Sequence, residues 1–228
     1  MNTAKRIFVL LADDHLIVLE GLKLLLKAES DLEVVGEAAN GHQAVALTRK
    51  LRPDVVIMDI AMPQLNGLEA ARQIRKAVPD TKVIILSAHS DDLYVEQATN
   101  LGAAGYLIKQ TASRFLSEAI RKVHRGETYF SPALSKRFKL LQQEPFDQKN
   151  LTQVKAARLS SRQLEVLQLI AESIANKQIA ESLDISVKTV EKHRDHLMQK
   201  LDIHDIAGLT RYAVSTGLIG NRVPLTLT

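Results

Sequence analysis

Short runs of bulky apolar residues alternate with helical repeats through the first half of the chain. The runs are Ile7–Ala12, Leu32–Val35, Asp54–Asp59, Lys82–Ser87 and Tyr106–Ile108. Leu16–Ala28, Gln43–Leu51, Leu68–Val78, Asp92–Leu101 and Ser113–His124 instead space apolar residues by three and four, as one face of a helix requires. Short strands separated by single helices predict β-α-β units, and hence a parallel sheet covered on both faces. Five such units over residues 5–125 predict an α/β domain with a doubly wound, five-stranded parallel sheet.

The pattern changes at residues 126–157. Pro132, Pro145, Gln142, Gln143, Gln148 and Asn150 interrupt the apolar spacing. A linker of partial order is expected there, with helical spacing kept near Ala133–Leu141. Residues 158–223 contain no strand-like run and predict a small all-α domain. Ser160 and Gln163 have capping-box spacing at the start of its first helix. Asn176–Leu183 and Val187–Leu201 predict two helices joined by a tight turn, with Ser186 capping the second. Val190, His193, Leu197 and Leu201 form its inward stripe, leaving Lys188, Glu191, Lys192 and Asp195 on the opposite face. This is the helix-turn-helix plan, although any small helical bundle also has such a polar face. A last helix, Asp205–Thr216, carries Ile206, Leu209 and Ala213 on one side.

Composition narrows the classes. Of 228 residues, 46% are apolar and 25% charged, an ordinary globular balance. The absence of cysteine excludes a disulfide scaffold, a thiolate metal site and a cysteine nucleophile, and fits a reducing compartment. Lys5-Arg6 precede an apolar run, but that run ends at Asp13-Asp14, too short and too acidic for a secretory core. With no run near the ~20 apolar residues of a membrane span, a cytoplasmic protein without membrane association is expected. A net charge of +4 permits nucleic-acid binding without demanding it.

The chemistry gathers where strands end. In an open parallel sheet, ligands bind beyond the carboxyl ends of the strands. Asp13 and Asp14 lie there on the first strand, Asp59 on the third, Ser87 on the fourth, and Lys109 just past the fifth. Three neighbouring carboxylates repel one another unless a hard cation or an ammonium intervenes, and Mg²⁺ suits such a set. What remains is an anionic nucleophile suited to accepting a phosphoryl group. Singly, each residue has a plainer reading: Asp13 or Asp14 as a helix cap, Asp59 as a solvated strand end, Lys109 as a surface lysine. The chain lacks the Gly-x-x-x-x-Gly-Lys-Ser/Thr loop of P-loop proteins.

Asp13-Asp14-His15, Asp59-Ile60-Ala61-Met62-Pro63 with Asn66-Gly67, Ser87-Ala88 and Gly105-Tyr106 with Lys109 together resemble a response-regulator receiver domain. The resemblance implies that Asp59 accepts the phosphoryl group from a sensor histidine kinase. It implies Mg²⁺ held by Asp13, Asp14, Asp59 and the backbone carbonyl of Ala61. Lys109 would bridge to the phosphoryl oxygens, Ser87 would move to bond them, Ala88 would keep the approach open, and Tyr106 would swing inward.

Leu159-Ser160-Ser161-Arg162, Glu165-Val166-Leu167, Asn176-Lys177, Ile179-Ala180, Ile185-Ser186, Thr189-Val190 and Lys200-Leu201 resemble the LuxR-type helix-turn-helix of NarL/FixJ response regulators. The implied partner is double-stranded DNA, bound by a homodimer when phosphorylated, with the last helix as the dimer contact; packing within its own domain is the alternative. Lys192 is the candidate for a guanine edge and Glu191 for cytosine N4, with Asp195 on the same face. Lys177, Lys188 and Arg194 are candidates for phosphates. Ala175 stands where the family usually has a capping serine, and Glu191 where many members carry lysine. Together the two resemblances imply a transcription factor with no catalytic residues, not an enzyme. The rival is an aspartyl-phosphate phosphotransfer sink or phosphatase with a helical accessory domain. Ala61 opposes the phosphatase, which needs an acidic Asp at that position.

Overall fold

The computed structural model describes residues 6–88, 92–131, 134 and 159–219, the side chains of Asp92 and Leu93 aside. The chain splits into two units, Met1–Phe146 and Asp147–Thr228. Of the helical stretch expected at Ala133–Leu141, only Leu134 lies among the described residues, and the expected end of the second domain at Val223 lies outside them.

In the first unit, strands β1 (Ile7–Ala12), β2 (Leu32–Ala38), β3 (Val55–Asp59), β4 (Lys82–Ser87) and β5 (Gly105–Ile108) alternate with helices α1 (Leu16–Lys27), α2 (Gly41–Leu51), α3 (Gly67–Ala77), α4 (Asp92–Asn100) and α5 (Ala112–His124). With a sixth strand, β6 (Tyr129–Phe130), the sheet order is β2-β1-β3-β4-β5-β6, with every pairing parallel. Alternate residues of each strand point to opposite faces. Val9, Leu11, Ile57, Ile84 and Leu107 therefore pack with α1 and α5, through Leu19, Leu22, Leu26, Leu116 and Ile120. Leu10, Val56, Met58, Ile85 and Tyr106 pack on the other face with Val45, Leu68, Ile74 and Val95. This double burial is why the strands read as continuous apolar runs.

One correction concerns the sheet. It has six strands, not the expected five: β6 (Tyr129–Phe130) pairs with β5 in the stretch read as the start of the linker. Two residues are too short to show any period. The strand is held by Tyr129 N–H donating to the Ala104 carbonyl and Ser131 N–H to Tyr106, each at 3.0 Å. The Lys122 ammonium lies 5.3 Å from the centre of the Tyr129 ring.

The second unit comprises α6 (Ser161–Ala171), α7 (Asn176–Ser182), α8 (Val187–Leu201) and α9 (Ile206–Ser215). Val166, Leu169, Ile170, Ile179, Val190, Leu197, Leu209 and Ala213 form one buried cluster. The capping box at α6 is formed as its spacing predicts: Gln163 N–H donates to Ser160 Oγ at 3.2 Å and Ser160 N–H to Gln163 Oε1 at 2.9 Å. Ser186 Oγ likewise accepts from Thr189 N–H at 3.1 Å. Ala175 offers α7 no side-chain acceptor, and only the return bond from its N–H to Gln178 Oε1, 3.3 Å, is made.

Candidate functional site

The sheet order reverses at β1, whose neighbours are β2 and β3. Helices leaving these strands diverge to opposite faces and open a crevice at the strand ends. Asp13 follows β1 directly, and Asp59 ends β3. Both are almost fully buried, at 1% and 3% exposure, which is unusual for carboxylates and calls for compensating partners.

Lys109 supplies one. It opens the 3₁₀ turn (Lys109–Thr111) that follows β5 without a spacer. Its Nζ lies 2.6 Å from Asp13 Oδ2 and 3.1 Å from Asp59 Oδ1. Burial pushes the Asp59 carboxyl above the usual carboxylate range; the ammonium opposes this, while the Asp13 and Asp14 charges reinforce it. For Lys109, burial works against the charge, but Asp59 and Asp13 outweigh it and hold its pKa above the ordinary value.

Asp14 and His15 complete the cluster. His15 Nδ1 lies 3.1 Å from Asp13 Oδ1 and 2.9 Å from Asp14 Oδ1. Donor atoms from Asp13, Asp14, His15 and Asp59 all fall within 4.8 Å of one another. The oxygen-rich donor set fits Mg²⁺, which favours carboxylates over imidazole. The helix-cap reading of Asp13 fails on position. His15 is the N-cap of α1, and Asp13 Oδ1 accepts from the N-cap's own N–H at 2.9 Å rather than from the first helical turn.

The loop bearing Ala61 is wedged between two helix starts. Asn66 Oδ1 accepts from Leu68 N–H at 2.7 Å and begins α3, while Gly67 N–H donates to the Ile60 carbonyl at 2.9 Å. A Cβ on Gly67 would lie 1.8 Å from the Asp59 carbonyl oxygen, and one on Gly41, at the start of α2, 2.2 Å from that of Leu65. Ala61 is half-buried on this loop. Ser87, buried at 1%, ends β4 in register with Ile108, and Ala88 behind it is exposed. Tyr106 is fully buried in the cluster under α2, α3 and α4, already turned inward. The contacts thus join Asp13, Asp14, Asp59 and Lys109; Ser87 and Ala88 lie at the same carboxyl end of the sheet, whereas Tyr106 pairs with Ile85, two residues before Ser87, in the core beneath it.

In the second unit, Lys188, Glu191, Lys192 and Asp195 are exposed along α8, opposite buried Val190 and Leu197. Lys177 is exposed on α7, and Arg194 is half-buried at the edge of the α8 face. Leu209 and Ala213 of α9 are spent on their own core, whereas Ile206 and Val214 stay open at 46% and 37% exposure. Sequence reasoning assigned no role to His15 or to Arg162. The consecutive Asp-Asp-His at a strand end was the available signal for the first; the second stood in the Leu159-Ser160-Ser161-Arg162 motif, which does not show the distant carbonyl it reaches.

Comparison with known proteins covers both units. The family described as "Response regulator receiver domain" matches residues 9–121, and "Bacterial regulatory proteins, luxR family" matches residues 157–213. The "Uncharacterized transcriptional regulatory protein YxjL" of Bacillus subtilis (strain 168) is 38% identical over 221 residues, 96% of this chain and 100% of that protein. The "Oxygen regulatory protein NreC" of Staphylococcus carnosus (strain TM300) is 38% identical over 92% of this chain and 98% of its own. Among solved structures, the RcsB response regulator of Salmonella typhimurium is similar with a TM-score of 0.56 and 27% identity, over 92% of this chain and 99% of that one. RcsB has also been solved as two dimers bound to two parallel DNAs, with the same TM-score of 0.56 and identity of 27% and the same coverage of 92% and 99%.

Proposed function

Since the chain belongs to the response regulators that join a receiver domain to a LuxR-type DNA-binding domain, we propose that phosphorylation of Asp59 by a sensor histidine kinase controls its binding to double-stranded DNA. We assign the receiver to residues 5–125 extended through β6, and the DNA-binding domain to residues 158–223. The observation that carries the reading is the convergence of Lys109 on Asp13 and Asp59, at 2.6 and 3.1 Å, inside a cluster that also holds Asp14.

An Asp59 oxygen forms the new O–P bond as the P–N bond of a phosphohistidine breaks and the imidazole leaves. Asp13, Asp14 and Asp59, with the Ala61 carbonyl, would hold Mg²⁺. When bound, Mg²⁺ neutralises charge on the transferring oxygens. Lys109 is anchored by two carboxylates and keeps its ammonium at the acceptor oxygen, where it follows the charge onto the phosphoryl group. Ala88 leaves the approach open. Ser87 hydrogen-bonds the phosphoryl oxygens, and the buried Tyr106 ring fills the space behind it. The added charge biases a two-state receiver surface.

On DNA, α8 enters the major groove. Lys192 reads a guanine edge, and Glu191, with Asp195 beside it, accepts from cytosine N4. Lys177, Lys188 and Arg194 neutralise phosphates and set the register. Charge on this face is mixed, so one copy binds weakly; a homodimer, paired through the open Ile206 and Val214 side of α9, doubles the phosphate contacts. No described helix is long and apolar enough to cross a membrane, in keeping with a cytoplasmic site of action. The test is labelling by radioactive acetyl phosphate with Mg²⁺: Asp59→Asn abolishes it, and labelling retained in that variant overturns the assignment.

A further inference from the structure

Helices α7 and α8 meet at a four-residue turn, Leu183-Asp184-Ile185-Ser186. Whatever holds this elbow sets the direction in which α8 leaves it. Two bonds hold it from within: Ile185 N–H donates to Ala180 O at 3.0 Å and Asp184 N–H to Glu181 O at 3.3 Å. Asp184 adopts a left-handed φ of 52°, uncommon for a residue with a side chain, so the elbow benefits from outside support.

That support comes from α6. Leu183 is the C-cap of α7, and its carbonyl lies beyond the reach of the helix's own N–H groups. Arg162, in the first turn of α6, donates Nη2 to this carbonyl while Nη1 pairs with Glu165 Oε2 at 2.9 Å. Glu165 is buried at 7% exposure, so the guanidinium is tethered on one side and spans to the elbow on the other. A rigid fork of donors can serve two acceptors at once; a lysine ammonium in this place reaches one of them at full strength. The charge is also felt at α8: burial first, then Arg162, holds the inward His193 imidazole below its ordinary pKa.

We propose that Arg162, oriented by Glu165, is a positioning residue for DNA reading: it fixes α8 against α7, so that Lys192 and Glu191 meet base edges while Lys177 meets a phosphate. This rests on the DNA-binding reading of the second unit. A misaimed reading helix loses base contacts, but its lysines still find phosphates. Specific binding therefore falls and non-specific binding persists.

The experiment uses the full chain, DNA enriched from a random pool by the phosphorylated wild type, and an unrelated duplex. Arg162→Ala, Arg162→Lys and Glu165→Gln are titrated over a salt series, with far-UV circular dichroism confirming the fold. Arg162→Ala is expected to weaken the enriched site at least tenfold and the unrelated duplex less than twofold, with the salt slope unchanged. Arg162→Lys and Glu165→Gln keep a donor or acceptor and carry the test if alanine unfolds the unit; each should show the same selective loss, smaller in size. A slope reduced by ~0.9, with both duplexes weakened, makes Arg162 a phosphate contact and overturns the proposal. Folded variants equal to wild type on both duplexes also overturn it, leaving the DNA-binding reading intact. A wild type that enriches no sequence overturns both.

Discussion

Replacing Gly67 with alanine tests how tightly the start of α3 is set against the acceptor residue. An ideal Cβ there lies 1.8 Å from the Asp59 carbonyl oxygen and 2.8 Å from its carbonyl carbon, both backbone atoms. Real Cβ contacts essentially never fall below 3.0 Å, so the two segments must part by at least 1.2 Å, the difference between 3.0 and 1.8 Å. Forcing a group into a packed site of this kind costs ~1–3 kcal/mol. At roughly 4 °C per kcal/mol for a domain of this size, Tm falls by about 4–12 °C. The same displacement moves Asp59, and a misplacement of ~1 Å at a reacting group costs on the order of 100-fold in rate. Thermal unfolding followed by circular dichroism, and the initial rate of labelling by acetyl phosphate, read the two effects. Gly21→Ala is the control: nothing lies within 4 Å of its Cβ in the middle of α1, so alanine should stabilise by ~0.5–1 kcal/mol and leave labelling unchanged. Wild-type melting and labelling in Gly67→Ala would refute the reasoning, because the close approach would then not constrain the site.

Other expectations follow from single contacts. Ser160→Ala removes the acceptor of the α6 capping box and should destabilise the second unit by ~1 kcal/mol, measured by urea unfolding; no change would mean that packing alone sets the helix start. Arg121 forks onto Asp31 at 2.8 and 2.7 Å and holds its carboxyl below the ordinary range by hydrogen bonding. A depressed folded pKa gives stability that is present above the unfolded value, near pH 4, and lost as pH falls through the folded one. Wild type should therefore melt above Arg121→Gln at pH 7, with the gap closing below pH ~4; a gap independent of pH would exclude the ion pair as its source. Lys192→Ala should weaken enriched DNA more than unrelated DNA, and equal losses would make Lys192 a phosphate contact.

Most of the architecture was legible in the sequence because doubly buried strands leave unbroken apolar runs and the helices between them leave a clear period. β6 was not, because two residues paired to an edge carry no period. The acidic rim was legible because parallel strands all deliver their carboxyl ends to one side. The fit around it was less so. Asn66-Gly67 gave no hint that the glycine lies against the Asp59 backbone, which is a property of where α3 starts. His15 stood beside two aspartates in the sequence, yet its approach to both depends on the turn into α1. On α9, spacing placed Ile206, Leu209 and Ala213 together, but only packing divides them into a buried pair and an exposed residue. Arg162 lies 21 residues from the carbonyl it supports, so its role depends on tertiary contact alone.

The most direct measurement is the affinity of the full chain for its enriched DNA with and without beryllofluoride and Mg²⁺, in wild type and in Asp59→Asn. A tighter complex in wild type alone, with no response in the variant, is the expected result. Equal affinity in all four conditions would contradict the claim that chemistry at the acidic rim governs the reading helix.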